Sequence, residues 1–166
     1  MSDKIVHFYR GGQDDDGRTL EEILNWPDDE LESVHDFIQW LFPLPERSGA
    51  NPSAPVLDAV TIEAFRHSED LQQRLRQSFL RMLRFYGLSF HEGRVQPGGD
   101  FAARLSNWLT PGNHNHLRLT RMLRSLRLLG LASESTALFH VLSWIHSNYP
   151  GCITRRTFEF WKDAVE

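Results

Sequence analysis

The stretch HNHLRLTRMLRSLRLLG, from His114 to Gly130, sets two histidines around an asparagine and then an arginine at every third position, Arg118, Arg121, Arg124 and Arg127. Such residues could read nucleic acid, cut it, or hold a fold together. The first three share their letters with a nuclease motif, but that motif is dispersed over a metal-binding ββα unit, whereas these are contiguous at a helix start. A nuclease is therefore not expected. Asn113 or Asn115 reads better as a helix cap, and His114 as a side chain that hydrogen-bonds to another helix. On a wheel of about 100° per residue, Leu119, Met122, Leu123, Leu126 and Leu129 share a face about 120° wide. The arginines fan over about 180°, since a three-residue step falls about 60° short of a turn. Leu117 and Leu128 lie among them, so this face is read as partly covered, with guanidiniums paired to an acidic N-terminal third; a phosphate-binding surface is the alternative.

Other reactive side chains form no catalytic pattern. The eight histidines are scattered, no HExxH occurs, and His140 and His146 have poor spacing for one helix face, so no metal is expected. The single cysteine, Cys152 in YPGCITRR, excludes an intramolecular disulfide and a cysteine-rich zinc site and reads as a passive thiol. There is no glycine-rich phosphate loop and no GxSxG elbow. His35 and Asp36 are adjacent, and adjacent helical residues point about 100° apart. No cofactor and no enzyme are expected. Trp40 falls opposite the apolar face of its helix, so it is either an exposed ligand platform or buried against a second element, and packing is the preferred reading.

The elements that must position these residues are mostly helical. KIVHFYR alternates weakly and GGQDDDGR is turn-like, so residues 1–17 are expected to be an extended acidic arm and loop. Thr19 with Glu22 resembles a capping box for a short helix that stops before Pro27. In PDDELESVHDFIQWLFPLPE, the positions Leu31, Val34, Phe37, Ile38, Leu41 and Phe42 lie within about 140°, which predicts one helix ended by Pro43. SGANPSAPVLDAVT is a surface loop; Thr61 is the expected cap of a helix carrying Ile62 and Phe65. Ser68 caps the long EDLQQRLRQSFLRMLRFYG, with Leu71, Leu75, Phe79, Met82, Leu83 and Tyr86 on one side, Arg74, Arg81 and Arg84 on the other, and Gly87 as terminator. LSFHEGRVQPGGD has strand-like pieces too short for a sheet. DFAARLSNWLTPG, the arginine-rich stretch, STALFHVLSWIHSNYPG and TRRTFEFWKDAV supply the remaining helices.

The expected fold is all-α: a single compact domain of about six to eight helices packed at mixed angles over residues 18–166, preceded by the arm. Its core should contain Leu31, Phe37, Ile38, Leu41, Phe79, Leu83, Leu123 and Leu126. A chain of 166 residues with 40% hydrophobic and 24% charged residues fits one globular domain. With no apolar run of about 18 residues and no secretory signal, a soluble cytoplasmic protein is expected. The net charge of −4 is unevenly spread: Met1 to Glu46 has twelve acidic against three basic residues, or −9, leaving +5 for the rest. The split marks either two partner surfaces or, as preferred, pairing within the fold.

Two runs carry a resemblance. HDFIQWLFP, His35 to Pro43, and HNHLRLTRMLRSL, His114 to Leu126, are similar to the conserved region of the opioid growth factor receptor family, where a histidine precedes IQWLFP and a later helix bears HN..LR.TR.L.SL. Phe8-Tyr9, SFLRMLRFYG and Leu129-Gly130 follow the family's order. In animals the family is associated with an enkephalin-type peptide and growth regulation in proteins in or near the nucleus. The resemblance implies a short, stand-alone member, nuclear only in a eukaryote, and brings no catalytic residues. The expected function is a non-enzymatic binding module for a peptide or protein. The alternatives are a nucleic-acid-associated domain using Arg118–Arg127 and an enzyme of unknown chemistry. The candidate binding residues are His35, Trp40, His114, Asn115, Arg118 and Arg121. If the two motifs meet, they form a cleft for a carboxylate or peptide; the competing reading is a buried polar cluster that fixes helix packing. Oligomeric state and the partner's identity are not written in the sequence.

Overall fold

Ile5, Phe8 and Tyr9 are spaced i, i+3 and i+4, and all three are fully buried on α1 (Asp3–Tyr9) of the computed structural model, which describes residues 3–166. The expected extended arm is thus a helix at its start. The helical spacing of its three large apolar residues outweighs the weak alternation. The loop that follows is a folded turn. Asp14 is buried, and its Oδ1 accepts from the amides of Asp16 and Arg18 at 2.9 Å each. The Arg18 guanidinium donates to Asp14 and Asp36 at 2.8 Å each. Burial alone would lower the Arg18 pKa, but its bonds to Asp36 and Asp14 outweigh that and hold it above the ordinary value.

Contacts divide the chain into two compact units, one ending at Ser78 and one beginning at Phe79. In the first, α2 (Leu20–Leu24) begins as the capping pattern predicts, with Thr19 Oγ1 accepting from the Glu22 amide at 3.2 Å. The single helix expected next is two, α3 (Asp28–Ser33) and α4 (Ile38–Leu41), separated where Val34 is extended at φ −94° and ψ 128°. A β-branched valine and an aspartate are weak helix formers, and here the Asp36 carbonyl accepts from Arg18 at 3.4 Å instead of from a helix amide. The apolar face survives the break: Leu31, Phe37, Leu41 and Phe42 are fully buried. α5 (Ala59–Arg66) is capped by Asp58, whose Oδ1 accepts from the Thr61 amide at 2.9 Å, so Thr61 lies inside the helix it was expected to cap.

The long helix α6 (Glu69–Phe85) begins where Ser68 Oγ accepts from the Leu71 amide at 3.2 Å. Leu71, Leu75, Phe79, Met82 and Leu83 are buried on it, and so is Arg81, which the wheel places on the polar side. Gly87 ends it at φ +78°, and a Cβ there would lie 2.8 Å from the Phe101 Cα, so only glycine allows the approach. The strand-like pieces then pair after all. β1 (Leu88–His91) and β2 (Arg94–Pro97) form an antiparallel hairpin around Glu92 and Gly93, both at positive φ, as the favoured two-residue turn demands. α7 (Phe101–Trp108), α8 (Asn115–Leu128), α9 (Ala132–Asn148) and α10 (Arg155–Ala164) complete the second unit. α8 packs on α9 and α10, and α9 on β2.

The fold is therefore all-α with one small hairpin. Ten helices occur among the described residues, beyond the six to eight expected, because several are too short to carry a readable period. All eight expected core residues are buried. No helix among the described residues is long and apolar enough to cross a membrane.

Candidate functional site

The six residues singled out in the sequence fall into two groups, one in each unit. In the first, His35 is exposed and Trp40 is 3% exposed. The second element that covers Trp40 is α1: the Phe8 ring lies 5.4 Å from the indole, centroid to centroid. Tyr9 reinforces this corner. Its hydroxyl donates to the Leu41 carbonyl at 2.6 Å and bonds Ser78 Oγ at 2.9 Å, and burial pushes its pKa well above the ordinary phenol range despite the Ser78 bond. Trp40 is thus a packed side chain whose partner sits on the segment expected to be an arm.

In the second unit the start of α8 is a buried polar hub. Asn113 caps it: its Oδ1 accepts from the Asn115 amide at 2.9 Å, while its Nδ2 donates to the Asn107 carbonyl at 3.0 Å. Asn115 is fully buried, and its Oδ1 accepts from Tyr86 at 3.5 Å and from Arg118 Nη1 at 3.4 Å. His116 is 2% exposed; its Nε2 donates to the Trp108 carbonyl at 2.8 Å, and its own carbonyl accepts from Trp161 Nε1 at 3.1 Å. Trp108 Nε1 in turn donates to the Tyr86 carbonyl at 3.1 Å. Burial lowers the His116 pKa, the Trp108 bond opposes this, and the neighbouring His114 adds to the lowering. The lowered pKa favours the neutral ring, and the carbonyl acceptor places a proton on Nε2. His114 is exposed, Arg118 is buried, and Arg121 and Arg124 are half-covered. Leu117, expected to be partly covered, is 71% exposed. Among the described residues no group of three or more His, Cys, Asp or Glu is placed to hold a metal ion.

A pocket of about 200 Å³ lies at the start of α8, lined by Asn113, His116, Leu117 and Phe160 among others, and larger concave surfaces lie elsewhere. A groove of about 440 Å³ runs between β2 and α9, with Arg94, Gln96 and Pro97 on one wall and His140, Val141 and Trp144 on the other. The buried face of α9 is formed by Leu138, Val141, Leu142 and Ile145, and Trp144, about 110° from the centre of that face, is 46% exposed. Trp144 packs near Phe101 at 6.4 Å and Tyr149 at 6.2 Å, so the indole is supported by aromatic neighbours while part of it remains open. Sequence reasoning missed this residue. The off-face criterion that singled out Trp40 applies equally to Trp144, but the opposite wall depends on a hairpin that was not expected. In the first unit a second groove of about 400 Å³ lies between α1 and α5, lined by His7, Arg10 and Val60 among others, with Val60 78% exposed.

The family model for the opioid growth factor receptor (OGFr) conserved region matches residues 4–165. The opioid growth factor receptor of Mus musculus is 43% identical over 121 residues, covering 69% of this chain and 19% of that protein. The receptor of Homo sapiens is 42% identical over 121 residues, 69% of this chain and 18% of its own. Opioid growth factor receptor-like protein 1 of Mus musculus is 38% identical over 128 residues, 74% of this chain and 27% of the relative. The match thus spans about a fifth to a quarter of the length of these relatives. No solved structure matches.

Proposed function

The chain belongs to the opioid growth factor receptor conserved-region family, and from that premise we propose that it is a non-enzymatic module that binds a peptide or protein partner. The observation that carries this reading is the groove between β2 and α9. It combines an apolar floor, a half-open indole and a few polar side chains at the rim, the composition expected of a recognition pocket. That the relatives are named receptors is consistent with such a role. Of the six residues expected from the sequence, Trp40, Asn115 and Arg118 serve the interior, while His35, His114 and Arg121 retain surface from which they can contribute to docking.

Selection from a random peptide display library against the immobilised chain tests the reading. Enriched sequences, resynthesised, should bind in calorimetry and lose affinity on Trp144→Ala. A selection with no enrichment over an unrelated immobilised protein refutes it. Nucleic acid is not favoured, since Arg118 is only 5% exposed and the guanidinium row is not an open phosphate track. Sub-micromolar binding of DNA or RNA at physiological salt, lost on Arg121→Glu and Arg124→Glu with folding intact, would reverse that ranking.

A further inference from the structure

We infer that the β2–α9 groove selects acidic peptides, taking an apolar side chain against Trp144 and Val141 and a neighbouring carboxylate at Arg94 and His140. This rests on the reading of the chain as a peptide-binding module and adds the chemistry of the partner. The hairpin geometry shows first how a peptide would not be held. Arg94 pairs with His91 across the two-residue turn, and the Gly98 amide donates to the Gly87 carbonyl at 2.8 Å, so the hydrogen-bonded pairs are 87/98, 89/96 and 91/94. The backbone groups of Val95 and residue 97 therefore face the outer edge. Residue 97 is proline, which has no N–H, and Val95 is 8% exposed. An added strand would find almost no donors along this edge. Recognition here must come from side chains.

The one formally charged side chain among those lining the groove is a cation, Arg94. The residues lining the groove include Arg94 and His140 and no carboxylate. The unit that bears it, from Phe79 onward, has eleven Arg and Lys against six Asp and Glu, a net of +5, whereas residues 1–78 have seven against sixteen, a net of −9. Within the groove's own unit the balance of charge favours an acidic ligand over a basic one. Arg94 is exposed on β2 and His140 on α9, so a carboxylate at the rim meets donors from both walls while the adjoining side chain reaches the indole. A volume of about 440 Å³ suits a few side chains rather than a folded domain.

Three fluorescein-labelled octapeptide pools test this on the intact chain by anisotropy. One places Phe, Trp or Leu between Asp and Glu, one places the same residues between Lys and Arg, and one holds Asp and Glu with no apolar residue. The acidic–apolar pool should bind at least about tenfold more tightly than either other pool. Trp144→Ala should abolish the difference while still melting cooperatively within a few degrees of the wild type, and Arg94→Glu should shift preference toward the basic–apolar pool with an unchanged melting curve. Equal binding of the two apolar pools, or an unaltered preference in Arg94→Glu, overturns the acidic selection. If none of the pools binds while library selection still yields peptides, this inference falls and the binding-module reading stands. If the selection is blank as well, both fall.

Discussion

At the start of α8, the indoles of Trp108 and Trp161 and the phenol of Tyr86 are fully buried, and each polar tip reaches the backbone or amide of a neighbouring turn. Along α9 of the same unit, the indole of Trp144 is 46% exposed beside Arg94 and His140. Both regions hold tryptophan, histidine and arginine, yet the first turns most of their polar groups to partners inside the fold, with the buried His116 Nδ1 an exception, and the second leaves them at the surface. The comparison shows that residue type alone does not distinguish a binding surface from a folding nucleus of polar groups. What distinguishes them is whether the polar atoms are already satisfied when the chain is alone.

The largest expected effect lies in the hub. Trp161→Ala removes a fully buried indole and its bond to the His116 carbonyl, and should cost about 3–5 kcal/mol in urea unfolding. A loss below about 1 kcal/mol would show that the hub is not a stability element. Asn115→Leu should cost about 1–3 kcal/mol, since it removes from a fully buried position the Oδ1 that accepts from both Tyr86 and Arg118. Peptide binding in the groove should be unchanged by it; a variant of normal stability that no longer binds would merge the two regions into one site.

His116 sharpens the contrast through pH. Burial holds its folded-state pKa below the ordinary 6.5, so below about that pH the unfolded chain takes up a proton that the folded chain resists. Stability is then full above the unfolded pKa and falls as the pH drops through it toward the folded value. Thermal melts of the wild type should shift downward between pH 7.5 and 5.5, and His116→Gln should be flatter over that window. Parallel profiles would remove the buried imidazole from the pH response.

Trp144→Ala should cost under about 1 kcal/mol because the indole is half-open, while peptide affinity drops by about tenfold or more. The smallest effect concerns the opposite wall. Glu92 holds φ 51° in the hairpin turn, and Glu92→Asn, a residue more at ease there, should raise stability by about 0.5 kcal/mol without altering affinity.

Much of this was legible beforehand where a period was long and a cap was present. The wheel of α8 placed Leu119, Met122, Leu123, Leu126 and Leu129 correctly, and all are fully buried. Ser68 and Thr19 capped where their neighbours indicated. Failures came where tertiary contacts outbid local preference. Val34 to Phe37 continue an apolar stripe without being helical, because the bonds that Arg18 makes to Asp36 arise from a loop eighteen residues away. The six candidate residues were recognisable as unusual, yet no periodicity could tell that the cover of Trp40 comes from Phe8 or that the amide of Asn115 is fully enclosed. Trp144 went unremarked because its groove exists only once β2 stands beside α9.

The position of α1 bears on what length of chain can be handled or cleaved without harm. A protease nicking the exposed Gly11 would leave both family-like runs intact and yet remove Ile5, Phe8 and Tyr9. The trimmed molecule would bare the rings of Trp40 and Phe65 that Phe8 and Tyr9 now meet. It would clump rather than bind, and α1 is for that reason a guard against misassembly as much as part of the fold.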